Sequence, residues 1–140
     1  MQFNITTDYA IRTVLFLAIT NRLATAAEIS EAMNIPKNYQ LKVTSPLVKK
    51  GILKRIQGVK GGFCLGRDSK DITLYDIIDT METTTHINPC MDKRKGYGRF
   101  TDTPCPIRDF YERIQADLEE HLQQMTVNKL SEKIEHKSHT

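Results

Sequence analysis

The sequence predicts a mainly α-helical fold with a small two-stranded β element, followed by one long carboxy-terminal helix. Capping residues and apolar spacings of three and four mark successive helices in the first 50 residues. Two short apolar runs then flank a glycine-rich stretch at residues 57–62, as they do in a β-hairpin. A single apolar stripe finally runs from Ile107 to Met125 at helical spacing.

The first three elements form a predicted helix-turn-helix. Residues 8–20 suit a partly buried helix, with Thr7 as its N-cap and Asp8 in the first turn, where negative charge suits the helix dipole. Thr25 opens a capping-box pattern for the second helix. A third helix is expected to begin at Pro36 and to end at Gly51. A short helix, a tight turn and a further helix make the helix-turn-helix arrangement.

A basic hairpin follows the third helix. Residues 53–56 and 63–65 read as strands, and the turn between them includes Gly58 and carries Lys60 at its tip. Thr73 then caps a short amphipathic helix. A helix-turn-helix with such a wing is a winged helix-turn-helix, which we expect to occupy residues 1–83.

Charge is separated along the chain. Residues 32–67, the acid-free segment, carry eight lysines and arginines and no acidic residue, whereas the other 104 residues carry 12 basic and 17 acidic side chains. Such a field indicates a polyanionic partner, and double-stranded DNA is the obvious one. A solvated basic face without a partner is the alternative.

The second helix of a helix-turn-helix enters the major groove with its amino-terminal side chains facing the bases. The predicted DNA contacts therefore lie at the start of the third helix, at the second helix cap and in the wing: Thr25, Lys37, Asn38, Tyr39, Gln40, Lys42, Gly58 and Lys60.

Two residues of the third helix disagree with a regular helix-turn-helix. Pro46 lies inside it, where a proline removes a hydrogen bond and is expected to kink or shorten the helix. Gln40 shares a face with Val43 and Leu47, where an apolar residue is expected.

Residues 84–105 are predicted to form a sensor loop. The segment is polar, lacks regular patterning and is long for a compact domain. It contains Cys90 and ends at Cys105, which stands between two prolines at the expected amino terminus of the long helix. Because helix amino termini stabilise thiolates, Cys105 is a candidate reactive thiol. A reversible thiol switch, a metal or iron–sulfur site with further ligands, and no redox role all remain open for this pair. Cys64 reads as a small apolar filler in a strand.

The long helix and tail, residues 106–140, are predicted to form the dimerisation region. The apolar stripe from Ile107 to Met125 could pack on its own domain, but because the winged-helix part already has a core, a self-complementary partner helix is favoured. A homodimer also suits DNA reading, because two-fold proteins match palindromic operators.

Several function classes are disfavoured. No stretch approaches the roughly 20 apolar residues of a membrane span, and the amino terminus lacks a secretory signal pattern, so a cytoplasmic protein without membrane partners is expected. The three cysteines are then expected to be reduced at rest. The chain is predicted not to be an enzyme. A small thiol oxidoreductase is one alternative, although the chain has no Cys-x-x-Cys, and a protein-binding winged helix is another.

Motifs along nearly the whole chain resemble the Rrf-two family of bacterial winged-helix regulators. The matching residues are Thr6 to Ala10 with Arg12, Ala27-Glu28-Ile29, Ile35-Pro36 with Tyr39, Leu47, Lys50-Gly51, Gly61-Gly62-Phe63, Leu65, Ile72-Thr73-Leu74, Met125-Thr126 and Leu130. The resemblance implies a cytoplasmic homodimeric transcriptional regulator, usually a repressor, with crossed long helices at the dimer interface.

The resemblance also bears on a cofactor. Family members with iron–sulfur clusters carry a three-cysteine loop, and Cys90 and Cys105 match its first and last positions while the middle cysteine is missing. Asp8 matches an acidic ligand position of some members, and Arg108 stands where others have a ligating histidine. The resemblance therefore leaves either no cofactor or a 2Fe–2S cluster on Cys90, Cys105 and Asp8.

Overall fold

The predicted fold class is confirmed: the molecule is mainly helical with one two-stranded antiparallel sheet. The computed structural model describes residues 2–87 and 106–138, without the side chains of residues 135–138. The elements in chain order are α1 (Ile5–Thr20), α2 (Ala26–Met33), a 3-10 turn (Lys37–Tyr39), α3 (Gln40–Lys49), β1 (Leu53–Ile56), β2 (Gly62–Leu65), a second 3-10 turn (Ser69–Asp71), α4 (Leu74–Met81), α5 (Pro106–Gln124) and α6 (Val127–Ser138). Within the described ranges, no helix is long and apolar enough to span a membrane.

Helix α1 begins earlier than predicted. Its N-cap is Asn4, so Thr7 lies inside the helix and is fully buried. The reason is a long-range contact: the carboxylate of Glu82 accepts hydrogen bonds from the backbone N–H of Asn4 and from the hydroxyl of Thr7, each at 2.7 Å. A residue 78 positions away thus provides an acceptor for the first N–H group of the helix and for the hydroxyl that was expected to cap it.

The helix-turn-helix forms with the predicted cap on α2, where Thr25 Oγ1 accepts the N–H of Glu28 at 3.2 Å. The third helix differs from the prediction at its start and at Pro46. It starts as a 3-10 turn and becomes α-helical at Gln40, and it continues past Pro46 to Lys49. Pro46 removes one N–H donor, which is not enough to end the helix here. The left-handed terminator is confirmed, since Gly51 has φ +77°.

The wing is joined to the helix-turn-helix by backbone pairing. Strands β1 and β2 pair in register from Leu53 opposite Leu65 to Ile56 opposite Gly62. A separate bridge links Phe63 to Ala24, just before α2, with N–H···O distances of 2.7 and 3.0 Å. A Cβ atom at Gly62 would lie 2.4 Å from the carbonyl oxygen of Ala24, so only glycine permits this approach.

One apolar core lies between α1, α3, α4 and the wing. Its fully buried side chains include Val14, Leu17, Ile29, Leu47 and Ile77. The carboxy-terminal helices are not separate from this core. Val127 of α6 belongs to it, and its N–H donates to the carbonyl of Ile72 at 2.8 Å.

The unexpected polar residue of α3 is part of a buried polar contact between the two helices of the helix-turn-helix. Gln40 is 7% exposed and Ser30 of α2 is 4% exposed. The amide Nε2 of Gln40 donates to Ser30 Oγ, while Gln40 Oε1 has no hydrogen-bond partner in the described part of the chain. Gln40 occupies an apolar position of the helix because its amide is paired across the interface with α2.

We expect Ser30→Ala to reduce the free energy of unfolding by about 1–3 kcal/mol, because it leaves the buried Gln40 amide nitrogen without an acceptor. Adding Gln40→Leu should recover most of this loss, since both polar groups are then removed together. Urea unfolding curves measure both values. Ser45→Ala on the exposed side of α3 is the control and should stay within about 0.5 kcal/mol of the parent protein. A Ser30→Ala variant as stable as the Ser45→Ala control would contradict this role of the pair.

Candidate nucleic-acid interface

The outer face of the third helix is polar and basic with a single apolar exception. Lys37 and Asn38 on the 3-10 turn are exposed, as are Lys42 and Ser45 on α3, and Leu41 lies among them. These positions follow the spacing of three and four that defines one side of a helix. The opposite side packs into the core through Val43, Thr44 and Leu47. The orientation of the helix therefore turns the predicted amino-terminal contact residues to solvent.

The wing adds cations beside this face. Lys54, Arg55 and Lys60 are exposed, and Lys60 lies next to Val59 on the turn between the strands. A cleft of about 380 Å³ separates α3 from the sheet, and Lys37 and Arg55 both line it. The basic residues of the third helix and those of the wing thus lie on the two sides of one cleft.

Two nearby cations are already neutralised by carboxylates. Arg67 contacts Asp76 at 3.0 Å and donates to the carbonyl of Asp71. Arg22 is hydrogen-bonded to Glu28 at the start of α2, which lowers the pKa of Glu28 below its usual value and keeps the carboxylate charged. The positive surface is therefore carried by the lysines of the third helix and by the wing.

Six of the eight residues predicted as DNA contacts are exposed, whereas Tyr39 is half-buried and Gln40 is buried. Lys37, Asn38, Lys42 and Lys60 are exposed. Gln40 is buried in the contact with Ser30 and also lines the cleft between α3 and the wing, so its predicted contact with a base stays a prediction. The predicted positions at the cap and the turn are also exposed: Thr25, whose hydroxyl oxygen caps α2, and Gly58, which has φ +114° in the wing turn.

Tyr39 is half-buried and connects the start of the third helix to α1. Its ring packs edge-on against Tyr9, with 5.3 Å between ring centroids, and Lys42 Nζ lies 5.7 Å from its centroid. Arg12 lies 5.8 Å over the Tyr9 ring and pairs with Asp8 at 2.8 Å. Tyr39 therefore supports the start of α3 through its contact with α1.

Four residues of this surface were not among the predicted contacts: Leu41, Ser45, Lys54 and Arg55. The signal for Ser45 was its helical spacing from Asn38 and Leu41. Arg55 Cζ lies 6.0 Å from the ring centroid of Phe63 on the paired strand. Strand alternation placed Arg55 on one side of the wing, but only the position of the wing against α3 brings it to the cleft.

The two predicted sensor cysteines, Cys90 and Cys105, lie outside the described residues. The chain just before them is held to α5 by one buried side chain. Gln115, 4% exposed, donates to the carbonyl of Thr85 and accepts the N–H of Ile87, both at 2.8 Å. Cys64, the third cysteine, is a half-buried free thiol in β2.

Of the three ligands expected for a cluster, Asp8 lies in the described part of the chain. In residues 2–87 and 106–138, no group of three or more histidine, cysteine, aspartate or glutamate side chains could hold a metal ion. Asp8 pairs with Arg12 and its side chain is 48% exposed.

Helix α5 presents an uncovered apolar face. Ile107 is 47% exposed, Phe110 59% and Ile114 38%, and they follow one another at spacings of three and four. Phe3 and Ile5 at the start of the chain are each 51% exposed.

Comparison with known proteins places this architecture among transcriptional regulators. A helix-turn-helix regulator named NsrR from Shouchella clausii (strain KSM-K16) is 26% identical over 132 residues, which cover 93% of this chain and 88% of the relative. The structure of CymR (YrzC), the global cysteine regulator of B. subtilis, matches with a TM-score of 0.79 and 23% identity over 95% of this chain and 98% of CymR. The structure of T. potens IscR matches with a TM-score of 0.75 and 20% identity, covering 95% of this chain and 88% of IscR.

A model of a protein family also matches almost the whole chain. The model of the Rrf2 family, described as an iron-dependent transcriptional regulator, matches residues 3–133. The family model and the NsrR relative are both described as transcriptional regulators, which favours a regulator over the thiol oxidoreductase alternative. The resemblance found in the sequence is confirmed, and the chain belongs to the Rrf2 (Rrf-two) family of transcriptional regulators.

Proposed function

We propose that this regulator is a cytoplasmic homodimeric repressor that binds palindromic double-stranded DNA and releases it in response to redox or thiol-reactive signals. The observation that carries DNA binding is the basic surface formed by the third helix and the wing. The acid-free segment supplies its cations, and Lys37 and Arg55 line the same cleft. Positive charge on a helix-turn-helix and its wing matches the phosphates that flank a DNA groove.

The roles of the surface residues follow from their chemistry. Lys37, Lys42 and Lys60 are exposed point charges that suit phosphate contacts. Asn38 presents an amide that can pair with a base edge in the major groove. Tyr39 positions the start of the helix through Tyr9, and Thr25 places the amino terminus of α2.

Lys42→Ala and Lys60→Ala should each make DNA binding less dependent on salt. Each phosphate that is no longer neutralised by a lysine makes the slope of log K against log salt concentration about 0.9 less negative. The measurement is fluorescence anisotropy with a labelled mixed-sequence duplex at several salt concentrations. Lys133→Ala on α6 removes an exposed lysine outside the acid-free segment and should leave the slope unchanged. If Lys42→Ala and Lys60→Ala both keep the slope of the parent protein, these lysines do not contact phosphates.

The homodimer is proposed to form through α5. The exposed face of Ile107, Phe110 and Ile114 is apolar along a regular helix, and a two-fold partner would cover it with the same face of a second copy. The resulting dimer would present two third helices, as a palindromic operator requires.

Phe110→Asp should convert the dimer to a monomer close to the 16.1 kDa of one chain, because it places a charge in the centre of the proposed apolar contact. Sedimentation equilibrium measures the mass, and the same variant should bind a palindromic duplex more weakly. Ala116→Asp adds the same charge on the opposite side of α5 and should remain dimeric. A dimeric Phe110→Asp variant would place the interface elsewhere.

The signal is proposed to act at Cys90 and Cys105. Cys105 directly precedes α5 in the sequence, and a helix amino terminus stabilises a thiolate. Oxidation by one molecule of hydrogen peroxide would join the two sulfurs, with the two thiol hydrogens leaving in two molecules of water. Gln115 fixes residues 85 and 87 to α5, so a change in the loop has a direct mechanical connection to the proposed dimer helix.

Cys105→Ser should bind DNA as tightly as the reduced parent protein and lose the response to peroxide. Anisotropy titrations before and after peroxide treatment measure this response. Cys64→Ser is the matched control and should still release DNA on oxidation, because that thiol lies in the wing strand. If Cys105→Ser still releases DNA on oxidation, the switch does not use this thiol.

A 2Fe–2S cluster on Cys90, Cys105 and Asp8 is the second candidate. The family model, described as iron-dependent, favours it, and Asp8 lies partly exposed on α1. When bound, such a cluster would supply a group whose oxidation state or loss reports the signal. Iron content and the visible absorption of anaerobically purified protein distinguish the two: bound iron and colour favour the cluster, and a colourless protein with reactive thiols favours the disulfide.

A further inference from the structure

Exposed large apolar side chains in the described ranges fall mainly into two groups. One group consists of Phe3 and Ile5 at the start of the chain and Ile107, Phe110 and Ile114 on α5, and Phe3 lines a cavity together with Leu118 of α5. The other group lies in the acid-free segment and consists of Leu41, Ile56 and Val59. Leu41 is 73% exposed, the highest value for such a side chain on a helix or strand of the described chain. A leucine this exposed leaves most of its apolar surface in water, so a partner that covered this surface would gain free energy.

Leu41 cannot turn inward within this fold. Val43 and Leu47 are fully buried on the opposite side of α3, and the amide of Gln40 is fixed to Ser30. Rotating α3 to bury Leu41 would withdraw these residues from the core. The exposure of Leu41 is therefore set by the packing of the whole helix.

We propose that Leu41 is a specificity-determining residue that packs against the C5-methyl group of a thymine in the major groove. This inference rests on the proposed DNA binding. The thymine methyl is the one apolar group that base edges present in the major groove. Leu41 lies one turn from Lys37 and Asn38, at the amino-terminal part of the helix that faces the bases.

The surroundings favour DNA over a protein partner. Leu41 lines the cleft with Lys37 and Arg55, and the acid-free segment contributes no carboxylate there. An apolar protein surface covering Leu41 would also cover these cations and leave them without partners. Duplex DNA supplies phosphates for the cations and a methyl group for the leucine in one surface.

The experiment begins with a duplex selected from a random DNA library by the full-length protein. Each thymine of that duplex is then replaced by uracil, which pairs identically and lacks only the methyl group. One thymine in each half-site should show about fourfold weaker binding on replacement, the factor that ~0.8 kcal/mol for one buried methyl group corresponds to. Leu41→Ala should bind the thymine and uracil duplexes alike at that position. Ile134→Ala on α6 truncates an exposed apolar side chain elsewhere and should keep the parent's preference for thymine.

The outcomes separate this inference from the proposed function. If the parent protein selects no sequence at all, DNA reading fails and the role of Leu41 fails with it. If it selects a sequence but binds all uracil duplexes equally, or if Leu41→Ala keeps the full preference for thymine, only the assignment of Leu41 is overturned.

Discussion

The position of the wing depends on two backbone hydrogen bonds between Ala24 and Phe63, at 3.0 and 2.7 Å. A two-stranded hairpin is only marginally stable alone, so this bridge and the packing of Phe63 on the core are what fix its orientation. The bridge also determines where the wing lies relative to α3, because Ala24 stands one residue before the cap of α2. The glycine at position 62 is part of the same constraint, since any side chain would collide with the carbonyl of Ala24. The cleft that joins the two basic parts of the surface exists because of this pairing.

A second bridge connects the carboxy-terminal helices to the same core. Leu74 N–H donates to Met125 at 2.9 Å and Val127 N–H donates to Ile72 at 2.8 Å, so the starts of α4 and α6 are held side by side. Helix α5 packs on α4, and α6 packs on α1. Movement of α5 is therefore resisted at its carboxy-terminal end by the bridge, whereas Gln115 holds the preceding chain nearer its middle. Helix α5 is thus held both at its carboxy-terminal end and near its middle, and the turns before Gln115 carry the exposed apolar face of Ile107, Phe110 and Ile114.

Local sequence signals predicted the elements whose stabilising groups are close in sequence. The caps at Thr25 and Thr73 and the left-handed Gly51 all depend on groups within a few residues, and all three appear in the structure. The start of α1 was missed because its acceptor, Glu82, comes from the end of α4. Periodicity placed Gln40 on the buried face with Val43 and Leu47, but its partner was missed for the same reason, since Ser30 lies on another helix. The candidate surface could be predicted as a set of charges, but its continuity across the cleft is a tertiary property.

At two adjacent positions of α3 the usual burial is reversed, because the polar Gln40 is buried and the apolar Leu41 is exposed. The buried amide donates to Ser30, and its oxygen has no partner among the residues that the structure describes. The exposed leucine forgoes burial worth about 1.5–3 kcal/mol. Folding alone would favour exchanging the two residues, because a leucine at position 40 would continue the apolar side formed by Val43 and Leu47. Local departures from the rules of stability are concentrated where a surface has another task. The reversed pair lies at the start of the third helix, between the lysines and opposite the wing, and it is there that the third helix is proposed to meet the bases.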